Sequence, residues 1–173
     1  MTDTNTKETM DLLDHLLKHD AWTTRRLMAL CLPLSDDELG RDFALGPGTL
    51  RKLWQHVVRN VEVWTALMAG DETIIDGAPA DAPLSVLIER YDHASAALFA
   101  LARRITDEGR FDGTFVDHLD HPPRNKTFGG AILHLATHGM HHRAQALYMM
   151  RRLGIENVPE GDALSWENQH RKS

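Results

Sequence analysis

Four of the chain's eleven histidines fall within nine residues, in the stretch HLATHGMHHRAQ from His134 to Gln145. His138 and His142 are spaced i, i+4. On a helix that spacing puts both rings on one face, within reach of a single metal ion. At about 100° per residue, His134, His138 and His142 lie at roughly −40°, 0° and +40°, a ridge that Gln145 and Met149 extend and His141 flanks. On this geometry alone two ligand pairs stay open, His134 with His138 and His138 with His142. Neutral imidazoles with open coordination positions suit zinc, nickel or ferrous iron better than calcium or magnesium. Three protein nitrogens plus water is the catalytic zinc arrangement, in which the pKa of the water falls toward neutrality.

A third imidazole has to come from another element, and His56 in LWQHVVRNVEVW is the candidate. It sits on the shoulder of a helical apolar stripe, with Asn60, Val63 and Leu67, where a side chain can reach inward. Asp20 falls at the centre of the N-terminal stripe, beside Thr24. A buried carboxylate costs several kcal/mol unless paired. Its partner is expected to be either the N–H of a metal-binding histidine or an arginine such as Arg25 or Arg152. Asp20, Gln145, His134 and His141 are therefore candidates to support the ligands.

Other metal patterns fit less well. There is no H-E-x-x-H, and the only E-x-x-H, Glu167 to His170, lies in the polar tail, where His170 is expected in solvent. His15 and His19 make a second H-x-x-x-H, which raises a haemerythrin-like di-iron bundle as an alternative. His15, however, points about 160° away from its helix's apolar stripe, and the residue four beyond His56 is Asn60, not a bridging carboxylate. His15 and His19 are expected on a solvated or interface face.

Four segments carry helical periodicity, and none alternates as a strand over a useful length. The first spans about Thr6 to Cys31. The second follows Gly46-Pro47-Gly48, with Thr49 as N-cap, and ends at Gly70. The third begins near Pro83, with Asp81 available as a cap, and the fourth runs from Thr127 to Gly154. A short helix can follow before the tail. The expectation is an all-α four-helix bundle in one domain over residues 1–173, a fold that builds metal sites between facing helices. The polar stretch from Thr106 to Lys126 is too long for an ordinary connection. Its His118, His121 and Arg124 are candidates to gate the site or hold an acidic substrate, with plain solvent exposure the simpler reading. The last long helix is apolar on several sides, so its far side is expected to meet a second subunit.

The net charge of −6 and pI near 6.0 give nucleic acid no basic footprint to bind. Cys31 is the one cysteine and cannot form an internal disulfide, which fits a reducing compartment. The polar N-terminus is unlike a signal peptide, and no apolar run approaches the ~20 residues that span a bilayer. A cytoplasmic protein is expected.

With His56 and the HLATHGMHHRAQ segment placed, the chain resembles the DinB-like (DNA-damage-inducible) superfamily. LLKHDAWTTRRLMALCLPLSDDEL is similar to that family's opening helix, with Asp20-Ala21-Trp22 where Asn-x-Trp is usual. GTLRKLWQHVVRNVEVWTALMAGD is similar to its second helix and HLATHGMHHRAQALYMMRRLG to its fourth, and the late Asp162 and Trp166 recur as well. Ala144 replaces a frequent glycine. The resemblance implies His56, His138 and His142 as metal ligands, with His134 and His141 as neighbours. It also implies an up-down-down-up bundle, a divalent ion (zinc or nickel) and a homodimer. Relatives such as bacillithiol S-transferases and mycothiol-dependent maleylpyruvate isomerase imply a small-molecule substrate and a low-molecular-weight thiol. They leave a metal-dependent transferase, a hydrolase and a non-catalytic metal-binding or sensor protein as readings.

Overall fold

The computed structural model describes residues 10–71, 76–159 and 161–170. Within them run α1 (Leu12–Leu30), α2 (Asp36–Gly40), α3 (Leu50–Ala69), α4 (Leu84–Asp107), β1 (Thr114–Asp117), β2 (Arg124–Thr127), α5 (Phe128–Arg152) and α6 (Ala163–His170). The protein is mostly helical, with one small two-stranded sheet.

Local chemistry sets most of the boundaries. Asp11 begins α1 through a reciprocal capping box with Asp14. The expected start at Thr6 lies outside the described residues. Thr49 accepts from Lys52 N to open α3, and Gly70 closes it in the left-handed region at φ +79°. Thr127 caps α5 by accepting from Gly130 N. Pro83 is the N-cap of α4 and makes no side-chain cap bond, so Asp81 does not play the capping part expected of it. Proline suits a helix start because the first turn leaves its N–H groups unbonded anyway.

Two regions depart from what the sequence leads one to expect. Helix α2 is a single capped turn, with Ser35 and Glu38 forming its capping box. The stretch after α4 is not plain loop: β1 and β2 pair antiparallel, with Phe115 opposite Lys126 and Asp117 opposite Arg124. Phe115 and Asp117 are buried while Thr114 and Val116 face out, the period-two pattern of a strand. The hairpin is anchored by Phe115, whose ring packs edge-on to Trp64 of α3 at 6.2 Å and near Phe128 at 5.4 Å. His118, His121 and Arg124 occupy exposed positions on it.

Helix α1 packs against α4 and α5, and α3 packs against the same two. Leu27, Met28, Leu50, Leu53, Trp54, Leu87, Tyr91, Ile105, Met149 and Met150 fill the shared core. Arg25 pairs with Asp92 across α1 and α4, and Asp11 with Arg103 further along. Between α3 and α4, Arg90 holds Glu62 at 2.7 Å and 2.8 Å, in bidentate fashion. No described helix is long and apolar enough to cross a membrane.

Helix α6 lies against α1. Ser165 N donates to Asp162 Oδ1 at 2.8 Å in its first turn, and Trp166 is buried. His15 and His19 pack edge-on to the Trp166 indole, and His19 Nε2 donates to the Gly161 carbonyl at 2.8 Å. Of the solvated or interface face expected of them, the solvated alternative therefore falls: both histidines are half-buried beneath α6. A wheel drawn for α1 alone has no place for a later helix that covers its outer side. His170 ends α6 exposed, with its ring edge-on to Trp22.

Candidate metal centre

The central part of α5 and the middle of α3 face each other. His56 meets His138 and His142, Asn60 meets His138, and Trp64 meets His134. His56, His138 and His142 form a group able to hold a metal ion. His138 Nε2 is 3.0 Å from His56 Nε2 and 3.1 Å from His142 Nε2. Two nitrogens bound tetrahedrally to one zinc at about 2.0–2.1 Å would sit ~3.3 Å apart. The spacing fits an ion with little adjustment, and the donor set is three borderline nitrogens.

Burial increases from His56, which is exposed, through His138 to His142, which is 7 % exposed. His142 is also held in one tautomer. Its Nδ1–H donates to Gln145 Oε1 at 2.9 Å, which leaves Nε2 as a lone pair directed at the cluster. Gln145 in turn donates through its own Nε2 to His141 Nε2 at 2.9 Å. The loop before α3 closes on the same glutamine: Gly46, at φ +54°, comes so near Gln145 Oε1 that a Cβ there would collide with it.

The remaining candidates fall around this group. His134 is exposed and outside the cluster, its ring 5.3 Å from His138 and 5.4 Å from Trp64. His141 is also outside it, attached through Gln145. Asp20 pairs with Arg143, and Thr24 Oγ1 accepts from the same guanidinium at 3.0 Å. Of the two kinds of partner expected, the arginine holds and the histidine does not, and the arginine is Arg143 rather than Arg25 or Arg152. Standing next to His142, Arg143 is turned about 100° round α5, and that rotation takes it to α1. Gly139 leaves room for the pair, since a Cβ there would lie 2.6 Å from Asp20 Oδ1.

Burial lowers the proton affinity of all three cluster rings. His138 is pushed down to about 4, by burial first and then by His142, His56, His134 and His141. His56 is lowered by burial and then by Arg59, and His142 by burial against the opposing pull of Gln145. At neutral pH the rings are uncharged, each with one nitrogen lone pair. Folding thus favours the neutral form, and below the ordinary histidine value of 6.5 the unfolded chain binds more protons than the folded one. Metal-free protein is expected to lose thermal stability as pH falls from 6.5 towards 4, and a His138→Gln control should lose less. Equal pH profiles for the two would contradict the assignment.

Cys31 is no nucleophile for this site. It is buried, donates to the Leu27 carbonyl at 3.3 Å, and burial pushes its thiol up to about 11.

A model of the DinB family matches residues 1–170. No curated protein matches the chain. Among solved structures, a DinB-like protein from Bacillus cereus aligns with a TM-score of 0.60 and 17 % identity, over 82 % of this chain and 90 % of that one. At that identity the likeness is one of fold.

Proposed function

The chain belongs to the DinB family, and from that premise we propose a metalloprotein in which His56, His138 and His142 hold one divalent ion, zinc or nickel. The observation that carries the reading is a cluster of three ring nitrogens within 4.8 Å of one another, with His138 Nε2 at 3.0 Å from His56 Nε2 and 3.1 Å from His142 Nε2. Such an ion would supply Lewis acidity able to deprotonate a thiol or water at neutral pH. The chain's own residues do the rest: Gln145 holds His142 in the metal-ready tautomer, and the exposed edge at His56 is where a small molecule would approach.

The cluster contains no carboxylate among the described residues. That favours transfer of a low-molecular-weight thiol to a small electrophile over hydrolysis, which calls on an acidic general base. The thiol must come from outside, because Cys31 is sealed in the core. The test combines two measurements on wild-type protein: metal per chain by mass spectrometry, and turnover of a model electrophile with low-molecular-weight thiols. Near-stoichiometric metal with thiol-dependent turnover supports the proposal. Bound metal with no turnover points to a metal-binding or sensor protein, and a chain that stays empty after zinc or nickel is added back refutes both.

The same reading places the chain in the cytoplasm as a single domain with up-down-down-up topology. Contacts support that topology. Asp11 with Arg103 and Arg25 with Asp92 are what antiparallel α1 and α4 would give. Arg51 with Ala82 and Glu62 with Arg90 fit parallel α3 and α4, and His56 with His142 and Trp64 with His134 fit antiparallel α3 and α5. A homodimer through α5 is proposed as well. Leu133, Met140 and Tyr148 are 58 %, 61 % and 47 % exposed on one side of that helix, with Leu147 at its edge. Met140→Glu is expected to convert a dimer into a monomer in sedimentation equilibrium, and a wild-type chain that sediments as a monomer would count against the interface.

A further inference from the structure

Asn60 stands one helical turn beyond His56 on α3, half-buried, with its carboxamide nitrogen 3.1 Å from His138 Nδ1. The other ring nitrogen, Nε2, is the atom that faces His56 and His142. In this arrangement Asn60 donates to Nδ1, so the ring hydrogen of His138 sits on Nε2. There it can be shared with the lone pair that His142 keeps free by giving its own Nδ1–H to Gln145. This pattern satisfies a cluster without an ion. An imidazole that offers Nε2 to a metal carries its hydrogen on Nδ1 and needs an acceptor at that position. A carboxamide can serve both states, since its NH₂ donates, its oxygen accepts, and a half-turn about Cβ–Cγ exchanges them.

We propose that Asn60 is a positioning residue for the metal centre, which turns its Oδ1 onto His138 Nδ1–H when an ion occupies the three Nε2 atoms. The inference rests on the three-histidine reading above. The ring's proton count does not change: Nε2 gives its hydrogen to water while Nδ1 takes one up. The two supports therefore differ. Gln145 keeps His142 in one tautomer, and Asn60 allows His138 to change.

Zinc affinity, measured by competition with a chromophoric chelator, tests this on wild type, Asn60→Leu and Asn60→Asp. The leucine variant lacks an acceptor and should bind about 10–100-fold more weakly. The aspartate variant can only accept, and should bind at least as tightly as wild type. Leucine and aspartate variants that weaken alike would show a merely structural role, and a leucine variant with wild-type affinity would show none; either overturns the proposal. Nitrogen-15 NMR of zinc-loaded wild type reads the same point without a variant. His138 should be protonated on Nδ1 and metallated on Nε2, and the reverse assignment refutes it. If wild type binds no zinc, the three-histidine reading itself falls and takes Asn60's role with it. If wild type binds and the variants match it, only the assignment of Asn60 falls.

Discussion

His142→Ala is expected to abolish stoichiometric metal binding. Of the three rings His142 is the most buried and is held by Gln145, so its Nε2 is the best placed before an ion arrives. Structural zinc sites release about 10–16 kcal/mol over four ligands, or roughly 2.5–4 kcal/mol for each. Loss of one ligand should thus weaken binding by on the order of 10²–10³-fold. Dialysis against a weak chelator followed by elemental analysis would read this as metal-loaded wild type beside an almost empty variant. His56→Ala and His138→Ala should behave alike. His134→Ala should keep its metal, because the ring lies outside the cluster and against Trp64. Full occupancy in the His142 variant would remove the ligand assignment.

The second large effect concerns stability. Asp20→Ala should cost about 3–5 kcal/mol, because it leaves the Arg143 guanidinium buried without its counter-charge. In a chain of this size that corresponds to a fall in melting temperature of roughly 6–20 °C. The pair is enclosed by Thr24, Tyr91 and the bare Cα of Gly139, and burial pushes the Asp20 carboxyl upward against the pull of Arg143. Replacing both charges, as in Asp20→Ala with Arg143→Met, should recover part of the loss, since an apolar pair leaves no orphaned charge. Urea denaturation of the single and double variants measures both quantities. A loss under about 1 kcal/mol for Asp20→Ala would show that water reaches Arg143.

The sequence makes the long helices legible because their apolar residues recur at three and four and their ends carry Thr49, Gly70 and Thr127. The short elements are harder. Ser35 and Glu38 spell a capping box, but a helix of five residues is too short to show a period. The strand Thr114–Asp117 has only two inward positions, set within a polar tract that reads as loop. At the metal centre the wheel of α5 could not choose between His134 and His142 beside His138. Tertiary packing groups His142 and not His134 with His138, since His56 and Asn60 stand opposite the lower part of the ridge while Trp64 takes His134. The wheel of α1 likewise marks Asp20 as buried without naming its partner, because Arg143 approaches from a helix more than a hundred residues away.

The turn Phe43–Gly48 is closed by its own backbone bonds, Phe43 N to Gly48 O at 2.9 Å and Gly48 N to Leu45 O at 3.0 Å. Gly46 at its tip presses on the glutamine that steadies His142. Connecting segments ordinarily tolerate insertions and swaps, because nothing inside depends on their length. Here that freedom is withdrawn. A graft or a single added residue between α2 and α3 would be felt at an imidazole almost a hundred positions later in the chain, so anyone redesigning this scaffold has to treat residues 43–48 as part of the site's wall.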